Sequence, residues 1–467
     1  MGYNVEENDI PAFNQLYLSA ARIERSGSLK NKRTKEKAPV TNENPIVIED
    51  REELIYMLSE AASLEHMIMC QYLFAAFSLK RDVSEGVTAA QLEAITRWER
   101  QVSLVATQEM LHLTLVNNLL SSIGSIPFFG RPNFPQHARY YPPGVQLSLL
   151  PFGQDALQHF LFLERPEGME LEDAPEFEVL AIPKPSLDID TGQIVPQAQE
   201  FATVGHLYRG IEQGFHHLVD KYGEQQVFVG PPRAQASQQH FAWPELIQVT
   251  DLASAVKAIE TIIEQGEGAR GDWHEAHYGK FLQIAQEYRQ LKEQDPGFEP
   301  ARPVVAAYVR PPSDTLHFRL ISDPLTAEIS ELFNASYQVL LQVLIRYFIH
   351  GTESDEELTT LSNVAVDTMF LLIKPLGELL TRLPVGPDMP GKMAGPSFEM
   401  YRAGNILPHR YGAWTVIHER LLELATYSDR LIKQPGAPQE LAAVGANARQ
   451  LAATLAQPLN AMAPNTH

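Results

Sequence analysis

The sequence predicts an all-α fold: a four-helix bundle with one long crossover connection, followed by additional C-terminal helices. Three observations predict it. Two long apolar-periodic segments, at about 50–80 and 88–124, are separated only by the polar turn RDVSEGV. Two more, near 199–221 and from about 251, follow a long irregular passage rich in proline. Helix-start signals of Ser, Thr or Asp three residues before Glu or Gln open the first pair. Short links join antiparallel neighbours in a bundle, whereas one long link marks a crossover.

Each element follows in order. Residues 1–48 lack a helical period and carry the basic stretch SLKNKRTKEK at 28–37, so they are expected to form an extended or disordered arm. Asp50 and Glu53 are spaced as a capping pair ahead of the first helix. Thr88 and Gln91 have capping-box spacing, and the second helix runs until Gly124, whose glycine suits a helix end. An insertion at about 125–198 opens with PFFGRPNFPQHARYYPPG; its stretches VQLSLLPF and FEVLAIPKP suggest one short helix and a few strands. The third helix is EFATVGHLYRGIEQGFHHLVDKY. The fourth is DLASAVKAIETIIEQGEG, interrupted by GARGDW and resuming as HEAHYGKFLQIAQEYRQ. The bundle thus spans 49–295, and 296–467 forms a helical region packed on it, with helices near 325–350, 355–383, 410–433 and 437–456 and a loop at PVGPDMPGKMAGPS.

Composition narrows the function. With 58 acidic against 37 basic residues, the net charge of -21 disfavours nucleic acid and anionic membrane surfaces as partners. The single cysteine, Cys70, rules out an intrachain disulfide and reads as a small core residue. No apolar run reaches bilayer length and the first residues lack a signal-peptide core, so a cytoplasmic location is expected.

The chemistry is concentrated in the bundle. LEHMIMCQYLF places Glu65 inside an apolar run, where an uncompensated carboxylate is costly. ATQEMLHLTL holds Glu109 and His112 three apart on one helix face. Carboxylate oxygen and imidazole nitrogen on facing bundle helices are donors suited to iron or manganese. Glu60 is held in reserve for Glu65, since counting back from the turn sets it nearer the level of Glu109. The third helix offers His206 or Glu212, six residues apart and so on different faces. The fourth offers Glu264 and Glu267, then His277 beyond the interruption. Tyr72 and Tyr208 lie near proposed ligands, ready to hydrogen-bond them or relay an electron. His216 and His217 read as packing or surface histidines.

LEHMIMCQYLFAAFSLK, QEMLHLTLVNNLLSSIGSIPFFGRPNFP, TVGHLYRGI, EQGEG and HYGKF together resemble the ferritin-like domain of the iminophenylpyruvate dimer synthase type, over about residues 50–290. The tail MAGPSFEMYR with LPHRYGAW and ERLLELA is similar to extensions of stand-alone relatives. The resemblance implies a ferritin-like bundle holding a di-iron centre, with Glu65, Glu109, His112, Glu267 and His277 at ligand positions. It implies an acid where this sequence has His206. The implied activity is oxidative coupling of amino-acid-derived imines in secondary metabolism. The expectation is therefore a dimetal oxidoreductase using dioxygen or peroxide on a small organic substrate, admitted where the insertion and C-terminal helices cover the bundle. Its rivals are an iron-binding or storage protein and a metal-free scaffold. A homo-oligomer is allowed.

Overall fold

The structure, a computed structural model, describes residues 45–137, 146–169, 171, 173, 196, 199–268, 273–310, 318–401 and 408–462. Most of the expected N-terminal arm and the FEVLAIPKP stretch lie outside the described residues. Helix α1 spans Arg51–Ser78 and starts where the Asp50 side chain accepts from the Glu53 N–H. Helix α2, Ala89–Ser122, opens with a reciprocal capping box between Thr88 and Gln91. Such a box satisfies two amides that a helix start otherwise leaves unpaired.

The insertion contributes one helix, α3 (Gln154–Leu163), and a two-residue antiparallel ladder between Gln136–His137 and Gln146–Leu147. Helix α4 is Val204–Tyr222. The fourth rod is broken into α5 (Leu252–Gly266) and α6 (His277–Gln294). Helices α1 and α2 pack along their lengths; α4 lies on α1 and α5, while α6 packs on α2 and α3. The second half holds α7 (Pro324–Phe348), α8 (Asp355–Thr368), α9 (Lys374–Leu380), α10 (Arg410–Leu431) and α11 (Glu440–Met462). A π-helical turn, Met369–Ile373, joins α8 to α9. No helix among the described residues is long and apolar enough to cross a membrane.

One hydrophobic core runs through both halves, from Ile46 to Leu459. Helix α1 explains why: nearly its whole circumference is buried, from Leu54 to Ser78, so it needs partners on every side. Ile46 and Ile48, in the segment before α1, seat against Gly210 and Gly214 of α4, where any Cβ would come within 3 Å of them. The insertion and the C-terminal half meet through Asn133, which donates to the Met400 carbonyl at 3.0 Å and accepts from its N–H at 2.8 Å.

Candidate metal centre

Four elements deliver five side chains to one buried spot. Helix α1 brings Glu65, α2 brings Glu109 and His112 from adjacent turns, the end of α3 brings Glu164, and the first residue of α6 is His277. The break in the fourth rod makes this placement geometrically feasible. After it the chain turns back so closely that a Cβ at Gly279 would lie 2.3 Å from the His274 carbonyl oxygen. Glu65, Glu109 and His112 form one group whose potential donor atoms all lie within 4.8 Å of one another; Glu109, Glu164 and His277 form a second. Glu109 belongs to both. Its Oε2 is 3.0 Å from His112 Nδ1 and its Oε1 is 2.9 Å from His277 Nδ1.

The electrostatics show what these groups lack. Burial drives the Glu109 carboxyl well above its usual range; His277 opposes this, while Glu65 and Glu164 reinforce it by repulsion. Burial acts on Glu65 too, but His112, Glu109 and Tyr208 together hold its carboxyl below the ordinary value. His277 is desolvated, yet Glu109 and Glu164 outweigh that and raise it. Neither ring nitrogen of His277, a fully buried residue, makes a hydrogen bond of sound geometry. Three carboxylates and two imidazoles crowded in a dry interior are expensive unless a cation compensates them. This donor set, with an orphaned imidazole and a doubly shared carboxylate, fits two transition-metal ions.

Tyrosines fix the outer carboxylates. The Tyr208 hydroxyl donates to Glu65 Oε1 at 2.5 Å, and the Tyr72 hydroxyl donates to Glu164 Oε1. The Tyr208 phenol is pushed well above its ordinary range by burial and by the Glu65 charge, so it stays a donor. Tyr72 also packs edge-on to Phe160 of α3 at 4.6 Å, which steadies the helix that ends in Glu164.

Of the residues singled out from sequence, the structure brings Glu65, Glu109, His112 and His277 together and places three others elsewhere. The Glu267 carboxylate caps the start of α4, accepting from the Gly205 N–H at 2.6 Å and the Glu167 N–H at 3.2 Å. Its oxygens are spent on backbone amides, so it does not face the cluster. His206 stands in the first turn of α4, its Nδ1 accepting from the Ala202 N–H at 3.3 Å. Glu212 lines an outer cleft between α4 and α5 with Arg209, Glu260 and Glu264. Glu60 is half-buried and belongs to neither group. His216 and His217 are exposed, and His217 pairs with Glu49 at 3.3 Å. Glu164 was missed because it lies in the insertion. The signal was there: HFLFLE ends an apolar run on an acid.

Gln265, near the end of α5, was missed as well. Its Oε1 lies 3.1 Å from His112 Nε2. The ring therefore donates from Nε2 and turns the Nδ1 lone pair toward Glu65 and Glu109. Gln265→Leu is expected to weaken metal binding about 10–100-fold while leaving the apo melting temperature within a few degrees, read by competition with a chelator dye.

A ferritin-like family model matches residues 58–286, the span that holds all of these ligands. The chain is 30% identical over 424 residues to a dichlorochromopyrrolate synthase of Lentzea aerocolonigenes, covering 81% of this chain and 39% of that protein. It is 26% identical over 416 residues to a 2-imino-3-(indol-3-yl)propanoate dimerase of Chromobacterium violaceum, covering 82% of this chain and 37% of the relative. The chain thus spans well under half the length of these curated relatives. A solved ferritin-like protein from Caulobacter vibrioides superimposes with a TM-score of 0.43 at 17% identity, over 68% of this chain and 96% of its own. Residues 58–286 are a ferritin-like domain.

Proposed function

We propose that the chain is a non-haem dimetal oxidoreductase, with iron in both positions, acting on an amino-acid-derived imine. The observation that carries this reading is the sharing of Glu109 between two buried carboxylate and histidine groups. Glu65 and His112 would hold one ion, Glu164 and His277 the other, and Glu109 would bridge them. When bound, such a pair supplies activation of dioxygen or peroxide. The chain supplies the rest. Tyr208 and Tyr72 keep the terminal carboxylates oriented, Gln265 sets the His112 tautomer, and the surrounding apolar helices exclude water. The substrate class rests on the relatives, one of which carries an imine in its own name.

Elemental analysis after loading with ferrous iron or manganese under argon tests the metal. About two irons per chain are expected, in line with the paired sites of ferritin-like bundles. Loaded protein given 2-imino-3-(indol-3-yl)propanoate should then consume dioxygen or peroxide. Protein that takes up no iron, or that leaves oxidant consumption unchanged, ends this reading.

A further inference from the structure

We infer that the protein has a second ligand site, a cavity for an aromatic molecule carrying a carboxylate, with the ring held inward and the anion at the mouth. The cavity, of about 390 Å³, lies where α1 and α2 meet the C-terminal half. That volume is within the range of small-molecule sites, roughly 300–1,000 Å³. None of the five cluster residues lines it. His66 and Met110, each one residue on from a cluster acid, do line it, and one residue turns a helix by about 100°. The cavity therefore opens on a different face of the α1–α2 pair, and the inference stands apart from the metal reading.

Its inner end is aromatic and chemically closed. Phe77, Phe129, Trp243, Phe348 and Phe398 contribute rings, with Tyr337 and His66 among them. His66 Nδ1 lies 3.1 Å from the Phe129 carbonyl oxygen and so donates to it, leaving Nε2 to accept from the Tyr337 hydroxyl. The Tyr337 oxygen also sits 3.4 Å from Cys70 Sγ. These polar atoms are satisfied by each other, so the inner end selects a flat apolar group rather than one bearing donors.

The outer wall points to an anion. Arg100 and Lys374 line the cavity and are exposed. The one lining acid, Glu99, is engaged by Arg81 at 3.3 Å, which also holds Glu378 at 3.0 Å. Three cations against two acids make this mouth locally positive on a chain of net charge -21. The π-helical turn adds an independent sign: Met369, Phe370 and Ile373 of that turn all reach the wall, and such turns recur at functional sites.

Isothermal titration calorimetry of the full chain with 2-naphthoate, 2-naphthalenemethanol and 2-naphthylmethylammonium tests this. The carboxylate is expected to bind tightest and the ammonium weakest. Arg100→Glu with Lys374→Glu, both exposed and outside the core, should weaken naphthoate roughly tenfold and leave the neutral alcohol unchanged, as expected for reversal of surface charges. Leu344→Trp, filling the cavity from α7, should weaken all three probes. No binding of naphthoate at millimolar concentration to wild type, or binding blind to both variants, overturns the inference. A stable dimer that leaves naphthoate unbound also overturns it, assigning the cavity to a second copy of the chain.

Discussion

Glu109→Ala should strip both metal positions at once, whereas Glu164→Ala and Glu65→Ala should each empty one. The asymmetry follows from geometry. Glu109 presents Oε2 to His112 at 3.0 Å and Oε1 to His277 at 2.9 Å, so it is common to both groups, while each outer acid belongs to one. Elemental analysis should therefore read close to zero for the first variant and about one metal per chain for the others, given a paired site. Misfolding is distinguishable from ligand loss. Without metal, burial and its acidic neighbours hold the Glu109 carboxyl well above its usual range, so it is a neutral acid in a core that would tolerate an apolar residue. The apo Glu109→Ala variant should melt within a few degrees of wild type. Equal metal losses in all three variants would show that no carboxylate is shared.

The fold was legible because local signals and global packing agree. Asp50, Thr88 and their partners mark helix starts that the structure shows hydrogen bond by hydrogen bond. Spacing likewise set Glu109 and His112 on one face, since three residues is nearly a full turn. Depth along a rod is another matter. Which acid of the third and fourth rods reaches the centre depends on where each rod begins and on what the insertion adds, and neither is written in periodicity. Glu164 illustrates this: a helix inside the presumed irregular connection supplies the acid that the third rod was expected to give. The π-helical turn was equally hidden, because the run TMFLLIKPLG is apolar enough to read as unbroken helix. His66 had no visible partner in sequence; Tyr337 reaches it from 271 residues away.

Glu267 should make the protein lose stability as pH rises toward neutrality. Its carboxylate is 4% exposed and held at about 7 rather than 4.5, because burial outweighs the amides of Gly205 and Glu167 and the Thr203 hydroxyl that favour the charged form. The sign follows from proton counting. Between pH 4.5 and 7 the folded chain keeps a proton that the unfolded chain has released, so each step upward in pH favours unfolding. Below 4.5 both states hold the proton; above 7 neither does, and the loss is complete. At about 1.4 kcal/mol per pH unit, the whole window is worth roughly 3 kcal/mol. In Glu267→Gln the amide oxygen can still accept from Gly205, while Glu167 loses its acceptor at every pH, which is a constant offset. The stability of the variant relative to wild type, measured by denaturant melts from pH 4 to 9, should therefore climb through that window and then level. A flat difference would mean that the carboxylate is ionised throughout, and that the close approach at Gly205, where a Cβ would fall 2.2 Å from Glu267 Oε2, serves an ion rather than a neutral acid.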